Sequence, residues 1–156
     1  MSVHSSVVVH NKQAILFIGE SGTGKSTQSK LWIDNIPNTF ILNDDSPIIE
    51  SHNNATICHG SLWSGKGSFY KKESYPVKAI IRIVQAKENK IERLCTLQSI
   101  AALHPSLPPS FAYQQQLYTK VTSIMSNIIE QVPIYRLSCL PQKEAALISH
   151  QTIWQK

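Results

Sequence analysis

A chain of 156 residues, 42% apolar and 16% charged, is long enough to bury one core, too short for two ordinary domains, and too apolar to stay disordered. Its formal net charge of +5 suits an anionic ligand such as a nucleotide, or an acidic partner; the basic residues between Lys71 and Arg93 are scattered among apolar ones, so no nucleic-acid surface is expected. No apolar stretch reaches the length of a membrane span, the N-terminus lacks the form of a signal peptide, and Cys58, Cys95 and Cys139, an odd count without C-x-x-C spacing, read as reduced thiols of a cytoplasmic protein.

Ser5 to Val9 is apolar and β-branched, His10-Asn11-Lys12-Gln13 interrupts it, and Ala14 to Ile18 resumes it, which predicts an antiparallel hairpin. With Asn11-Lys12 as a two-residue loop, His10 faces Gln13 and His4 stands opposite Gly19. A three-residue loop would shift the pairing by one and turn His4 to the other face. Next comes Gly19-Glu20-Ser21-Gly22-Thr23-Gly24-Lys25-Ser26, with Thr27 after it, in the pattern G-x-x-x-x-G-K-S. Glycines at 19, 22 and 24 let successive N–H groups turn toward a polyphosphate, and the helix that starts there adds its positive dipole end. Lys25 can reach the β- and γ-phosphates, and the Ser26 hydroxyl can ligate magnesium. ATP and Mg are therefore the expected cofactors, with the segment from Gly19 to Thr27 as the nucleotide-binding set.

The helix from Ser26 to about Asn35 points Leu31, Trp32 and Ile36 at a core and stops at Pro37. Thr39 to Asn43 is a strand ending at Asp44-Asp45. Strand, helix and strand over this length predict a parallel βαβ unit with neighbouring strands, which brings the Asp pair out beside the phosphate loop. A magnesium-holding or base-acting carboxylate belongs there. Ile48-Ile49 and Thr56 to Cys58 flank the turn 51–54 and predict a second hairpin. The glycine-punctuated segment Gly60 to Ser68 is either a surface loop or a second active-site loop that brings Lys66 to the phosphates. Val77 to Val84 and Ile91 to Leu94 are strands about a turn at 87–90. Thr96 is the expected N-cap of a helix over 97–103. From Phe111 the positions Leu117, Val121, Ile124, Ile128 and Val132, widened by Met125 and Ile129, form a core-facing helical stripe. Pro133 to Leu137 is a further strand, and a closing helix follows Pro141.

On His4-Ser5-Ser6 before a hairpin, Gly19 to Ser26 as the loop and Asn43-Asp44-Asp45 one helix later, the chain resembles the HPr kinase/phosphorylase family. The likeness is strongest over residues 4–50. It implies an α/β fold, the P-loop nucleotide-binding core shared with phosphoenolpyruvate carboxykinases, with a mixed sheet, a leading β-hairpin and C-terminal helices, as a single kinase-like domain over 1–156. It further implies that Lys25 and Ser26 hold phosphates and magnesium, that Asp45 is the base taking the proton of an acceptor hydroxyl, that Asp44 lies near the metal, and that His4 assists. Members of the family are hexamers, so a homo-oligomer is expected by resemblance. The family's central glycine-rich signature with its Glu and Arg is missing, and Trp63-Ser64-Gly65-Lys66 stands there instead. HPr itself as the substrate therefore does not follow. The acceptor is a serine of a small protein or peptide, or a metabolite hydroxyl. A shikimate-kinase-like small-metabolite kinase, a carboxykinase-like enzyme and a non-catalytic nucleotide-binding module are the rival readings.

Overall fold

The unbroken apolar runs Val7–Val9 and Ala14–Ile18 are stable as strands only if both faces of their sheet are covered, since successive side chains point to opposite sides. That is the architecture of the computed structural model, which describes residues 1–52, 54–63, 70–109 and 113–155. Strands β1 (Ser5–His10) and β2 (Gln13–Ile18) pair antiparallel with His10 opposite Gln13 and Ser5 opposite Ile18. The two-residue loop between them holds Asn11 at φ 48° and Lys12 at φ 59°, the left-handed pair that matches the twist of the strands. The register expected from the two-residue loop is therefore the one adopted.

Helix α1 (Lys25–Asn35) follows β2 and leads to β3 (Thr39–Asp45). Here the structure corrects the expected pairing. β3 does not lie against β2; β1 sits between them, antiparallel to both. β2 and β3 still run in the same direction, so their C-terminal ends emerge at one edge of the sheet, as the placement of the Asp pair requires. A hairpin of β4 (Ile48–His52) and β5 (Ala55–His59) comes next, then the long strand β6 (Ser74–Gln85). β6 runs parallel to β2, and its first residues pair with β5. The segment holding Lys66 lies outside the described residues.

β7 (Lys90–Arg93) does not fold back on β6. It pairs antiparallel with β8 (Ile134–Cys139), which lies parallel to β6. Helix α2 (Thr96–Leu103) is capped by Cys95, not Thr96: the Cys95 N–H donates to Gln98 Oε1 at 3.1 Å and the Cys95 side chain faces the N–H of Gln98 in return. A short 3-10 turn (His104–Ser106) follows. Helix α3 (Gln115–Gln131) buries Val121, Met125 and Ile128; Leu117, in its first turn at the outer end of the expected stripe, is 40% exposed. Helix α4 (Lys143–Trp154) closes the chain.

The alternation of the strands divides the core in two. Val7, Val9, Leu16, Ile18 and Ile80 pack with Leu103, Met125 and Ile128 of α2 and α3. Val8, Ile15, Phe17, Ala79 and Ile81 pack with Trp32 of α1 and with Ala145, Ala146 and Ile153 of α4. Trp32 is fully buried and its indole N–H donates to Ser149 Oγ at 3.0 Å, tying α1 to α4. α1 is thus held by the sheet and by α4 packed beside it on the same face. No helix among the described residues is long and apolar enough to cross a membrane.

At the end of the sheet away from the glycine loop, His10 and His150 bring their Nε2 atoms to 3.3 Å, with Thr39 Oγ1 3.2 Å from His10 Nδ1 and Trp154 stacked on His150. Burial lowers the pKa of both rings, and His10 lowers that of His150 further by like-charge repulsion. The sign is set by linkage: the unfolded chain takes up protons first as pH falls below about 6.5, so stability is full above that pH and declines below it until the folded rings titrate. The melting midpoint is expected to drop by a few degrees between pH 7.5 and 5.5, and His150→Gln should flatten that profile. An unchanged profile in the variant would remove the pair as its source.

Candidate functional site

The turn from β2 into α1 needs backbone conformations that side chains resist. Gly19, Gly22 and Gly24 sit at φ 148°, 79° and 104°. A Cβ on Gly19 would stand 2.8 Å from Thr23 Oγ1 and 3.2 Å from the Ile83 carbonyl, so this residue is confined by space as well as by φ. Thr23 closes the loop on itself by donating from Oγ1 to the Glu20 carbonyl at 2.8 Å. Gly24 occupies the N-cap position of α1 in a left-handed conformation, and no side chain caps the helix among the described residues. The first N–H groups of α1 are therefore left for water or an anion.

Lys25, first residue of α1, folds its ammonium back onto the loop and donates to the carbonyls of Gly19 at 3.0 Å and Glu20 at 3.1 Å. Burial lowers its pKa, and Asp44 and Asp45 act against that shift. Ser26 donates from Oγ to Asp44 Oδ1 at 2.8 Å. Asp45 Oδ1 lies 3.1 Å from His4 Nδ1. His4 is held by its own backbone, whose N–H donates to the Ser106 carbonyl at 2.8 Å. The register of β1 with β3 puts Ser5 opposite Asp45 and Ser6 opposite Asp44. His4, one residue before Ser5, thereby reaches the Asp45 carboxylate.

A cavity of about 500 Å³ opens over this constellation. Of the residues expected from the sequence, it gathers His4, Ser21, Gly22, Gly24, Lys25, Ser26, Thr27, Asp44 and Asp45. Gly19 and Thr23 form the back of the loop and do not line it. The Glu20 side chain stays 81% exposed and stands 4.0 Å from the Arg82 guanidinium, an arrangement that takes it off the cavity wall. Ser26 and Asp44 offer two hard oxygen donors within hydrogen-bond reach of each other, a donor set suited to magnesium, which takes few protein ligands and completes its shell with phosphate and water oxygens.

Two supports escaped sequence reasoning. β3 carries a bulge: Val7 faces Asn43 while Val8 faces Ile41, so Leu42 is the extra residue and everything after it is re-aimed. Asn43, fully buried, then pins the acidic turn. Its Oδ1 accepts the N–H groups of Asp45 at 3.2 Å and Ser46 at 3.1 Å, and its Nδ2 donates to the Ser61 carbonyl at 2.9 Å. Ser61 donates from Oγ to the Ser46 carbonyl at 2.6 Å, which ties the loop after β5 to the same turn. The other support is Ser6, which shares a 2.6 Å hydrogen bond with Ser29 of α1 and seats the helix against β1 below the cavity. Its signal was legible: two consecutive serines inside a strand that is otherwise apolar are polar groups that must find buried partners.

No family model matches this chain, and no curated protein matches it. Among solved structures it is similar to the Hpr(Ser) kinase/phosphatase from Coxiella burnetii, at 15% sequence identity and a TM-score of 0.56, over 98% of this chain and 88% of that one. At such identity the likeness is one of fold: a mixed α/β sheet covered by helices, of distant HPr kinase-like type.

Proposed function

We propose that this chain is an ATP-dependent kinase that transfers the γ-phosphoryl group to a hydroxyl, with a serine of a small protein or peptide as the acceptor. The reading rests on one observation above the others. The Ser26–Asp44 and His4–Asp45 pairs, at 2.8 and 3.1 Å, open on one cavity together with Lys25 and the uncapped start of α1. The loop Gly19 to Thr27 is the P-loop of this reading, with its N–H groups around the phosphates. Lys25 exchanges its carbonyl partners for phosphate oxygens and stabilises charge on the transferred group. Ser26 and Asp44 would hold magnesium, which would supply neutralisation of the β,γ-phosphate charge.

Asp45 accepts the proton of the acceptor hydroxyl as that oxygen bonds to the γ-phosphorus; the bond from the γ-phosphorus to the bridging oxygen breaks and ADP leaves. His4 keeps the Asp45 carboxylate turned to the acceptor. Lys66 is assigned no step. The same reading takes residues 1–156 as one kinase domain working in the cytoplasm, with a homo-oligomer as its assembled form.

The test is magnesium-dependent release of ADP from ATP in the presence of seryl peptides and small hydroxyl metabolites, with phosphate transfer followed by radiolabel. Transfer to a seryl peptide is the expected outcome. ATP bound without transfer to any acceptor would reduce the protein to a nucleotide-binding module, and transfer confined to metabolites would displace the peptide acceptor.

A further inference from the structure

Side chains alternate along a strand, so Ile80, Arg82 and Val84 of β6 share one face, as do Ile134, Arg136 and Ser138 of β8. It is the face covered by α2 and α3, because Ile80 and Ile134 pack there with Leu103 and Met125. The parallel register sets Arg82 directly beside Arg136. Like charges on adjacent strands repel, so the arrangement calls for counter-charge. Arg136 has its own: Nε donates to Glu92 Oε1 at 2.8 Å, and Nη2 closes on the same oxygen. Arg82 is poorly served. Its Nη1 donates to the Ala102 carbonyl at 3.0 Å. The one carboxylate within 4.0 Å of it among the described residues is that of Glu20, on a side chain 81% exposed where Arg82 is 23% exposed. An ion pair that long and that wet contributes little.

A cavity of about 260 Å³ opens over the two guanidinium groups, and it shares no residue with the one over Lys25 and Asp45. Val84, Leu94 and Ala101 give it apolar walls, and Gln98 stands at its rim. Gln98 Oε1 is taken by the Cys95 N–H, which leaves the NH2 of that amide as a further donor. The cavity therefore joins forked cationic N–H groups to apolar surface. A guanidinium fork matches a carboxylate with two parallel hydrogen bonds. The apolar walls offer nothing to a bare inorganic ion but suit a short hydrocarbon body. The volume lies below that of pockets for drug-sized ligands, and admits a molecule of a few carbon atoms.

We infer that this cavity is a second anion site, separate from the phosphate loop, that takes a small monocarboxylic acid with a short apolar chain. The carboxylate lies on the Arg82 fork within reach of Arg136 and the Gln98 amide, and the chain runs along Leu94 and Ala101. The acid supplies the counter-charge that Arg82 lacks, and takes the place of Glu20 beside it. The site does not depend on the kinase reading, since none of its donors belongs to the glycine loop.

Titration of the wild-type protein with sodium valerate, followed by proton–nitrogen correlation spectra, tests the assignment. Saturable shifts with a Kd of about 1 mM or tighter are expected at the amides of Ala101, Ala102 and Arg136 and at the Nε–H of Arg82, with Gly22 to Thr27 unmoved. Acetate, shorter by three methylene groups, should bind at least about fivefold more weakly, and valeramide, which keeps the shape without the charge, should not bind. Arg82→Gln, with its native fold checked by a melting curve, should lower valerate affinity at least about tenfold. The absence of saturable shifts, or shifts confined to the glycine loop, would overturn the site in the wild-type protein alone. Acetate or inorganic phosphate held in the cavity as tightly as valerate would reduce it to a basic patch without choice of ligand. A folded Arg82→Gln protein that binds valerate like the wild type would equally refute it.

Discussion

Lys25→Ala is expected to lower ATP turnover by about 10²- to 10³-fold, the usual result of deleting one preorganised donor that stabilises transition-state charge. The ammonium now rests on the carbonyls of Gly19 and Glu20, at the base of the loop and within the influence of both aspartates. Those two bonds hold the side chain at the loop until phosphate oxygens replace the carbonyls as its partners. Their loss leaves one part-buried and one exposed loop carbonyl without the ammonium, and the stability change is expected to be about 1 kcal/mol. Steady-state kcat with saturating magnesium, beside a melting curve, measures both. A loss smaller than about tenfold, some 1.4 kcal/mol of barrier, would place Lys25 outside the chemistry.

Asp45→Asn is expected to reduce kcat for transfer by about 10²- to 10⁴-fold while the KM for ATP changes little. The substitution keeps the volume and the N–H groups from Asp45 and Ser46 that Asn43 Oδ1 accepts, so the turn should survive. What it removes is a carboxylate able to take a proton. Asp44→Asn acts differently on the same scheme: the 2.8 Å partner of Ser26 is the metal-side carboxylate, so that variant should raise the magnesium concentration needed for half-maximal rate. The contrast between adjacent residues is the sharpest check on the two roles. If both variants shift the magnesium requirement alike and neither lowers the saturated rate, no base acts at this position.

Much of the site could be read because its signals are local. Three glycines, a lysine and a serine at fixed spacing lie between an apolar run and a helix, and backbone sterics leave little else for such a segment to do. The hairpin was also local, though its register was not: a loop of two puts His4 level with Gly19 and a loop of three turns it away, and the folded chain adopts the loop of two. Of the second rank, Ser6 was legible as a polar residue in an otherwise apolar strand, and the rest was not. Asn43 reads as the last residue of a strand until the bulge at Leu42 turns it inward, and Ser61, 18 positions later, is its partner only in the folded chain. Gln28 reads as an ordinary helix residue until Cys139, 111 positions away, takes one end of its amide.

By itself, then, the order of residues determined where strands and helices begin, which faces they bury, and which groups leave the loop. Tertiary structure alone decided which strands are neighbours. Alternation tells a strand which side is inward but says nothing of what lies along its edge, where hydrogen bonds are the same for any partner. So β1, not β2, came to lie against β3, and β8, not β6, against β7. Those choices bring the C-terminal ends of β2, β3, β6 and β8 to one edge of the sheet and set Arg82 beside Arg136.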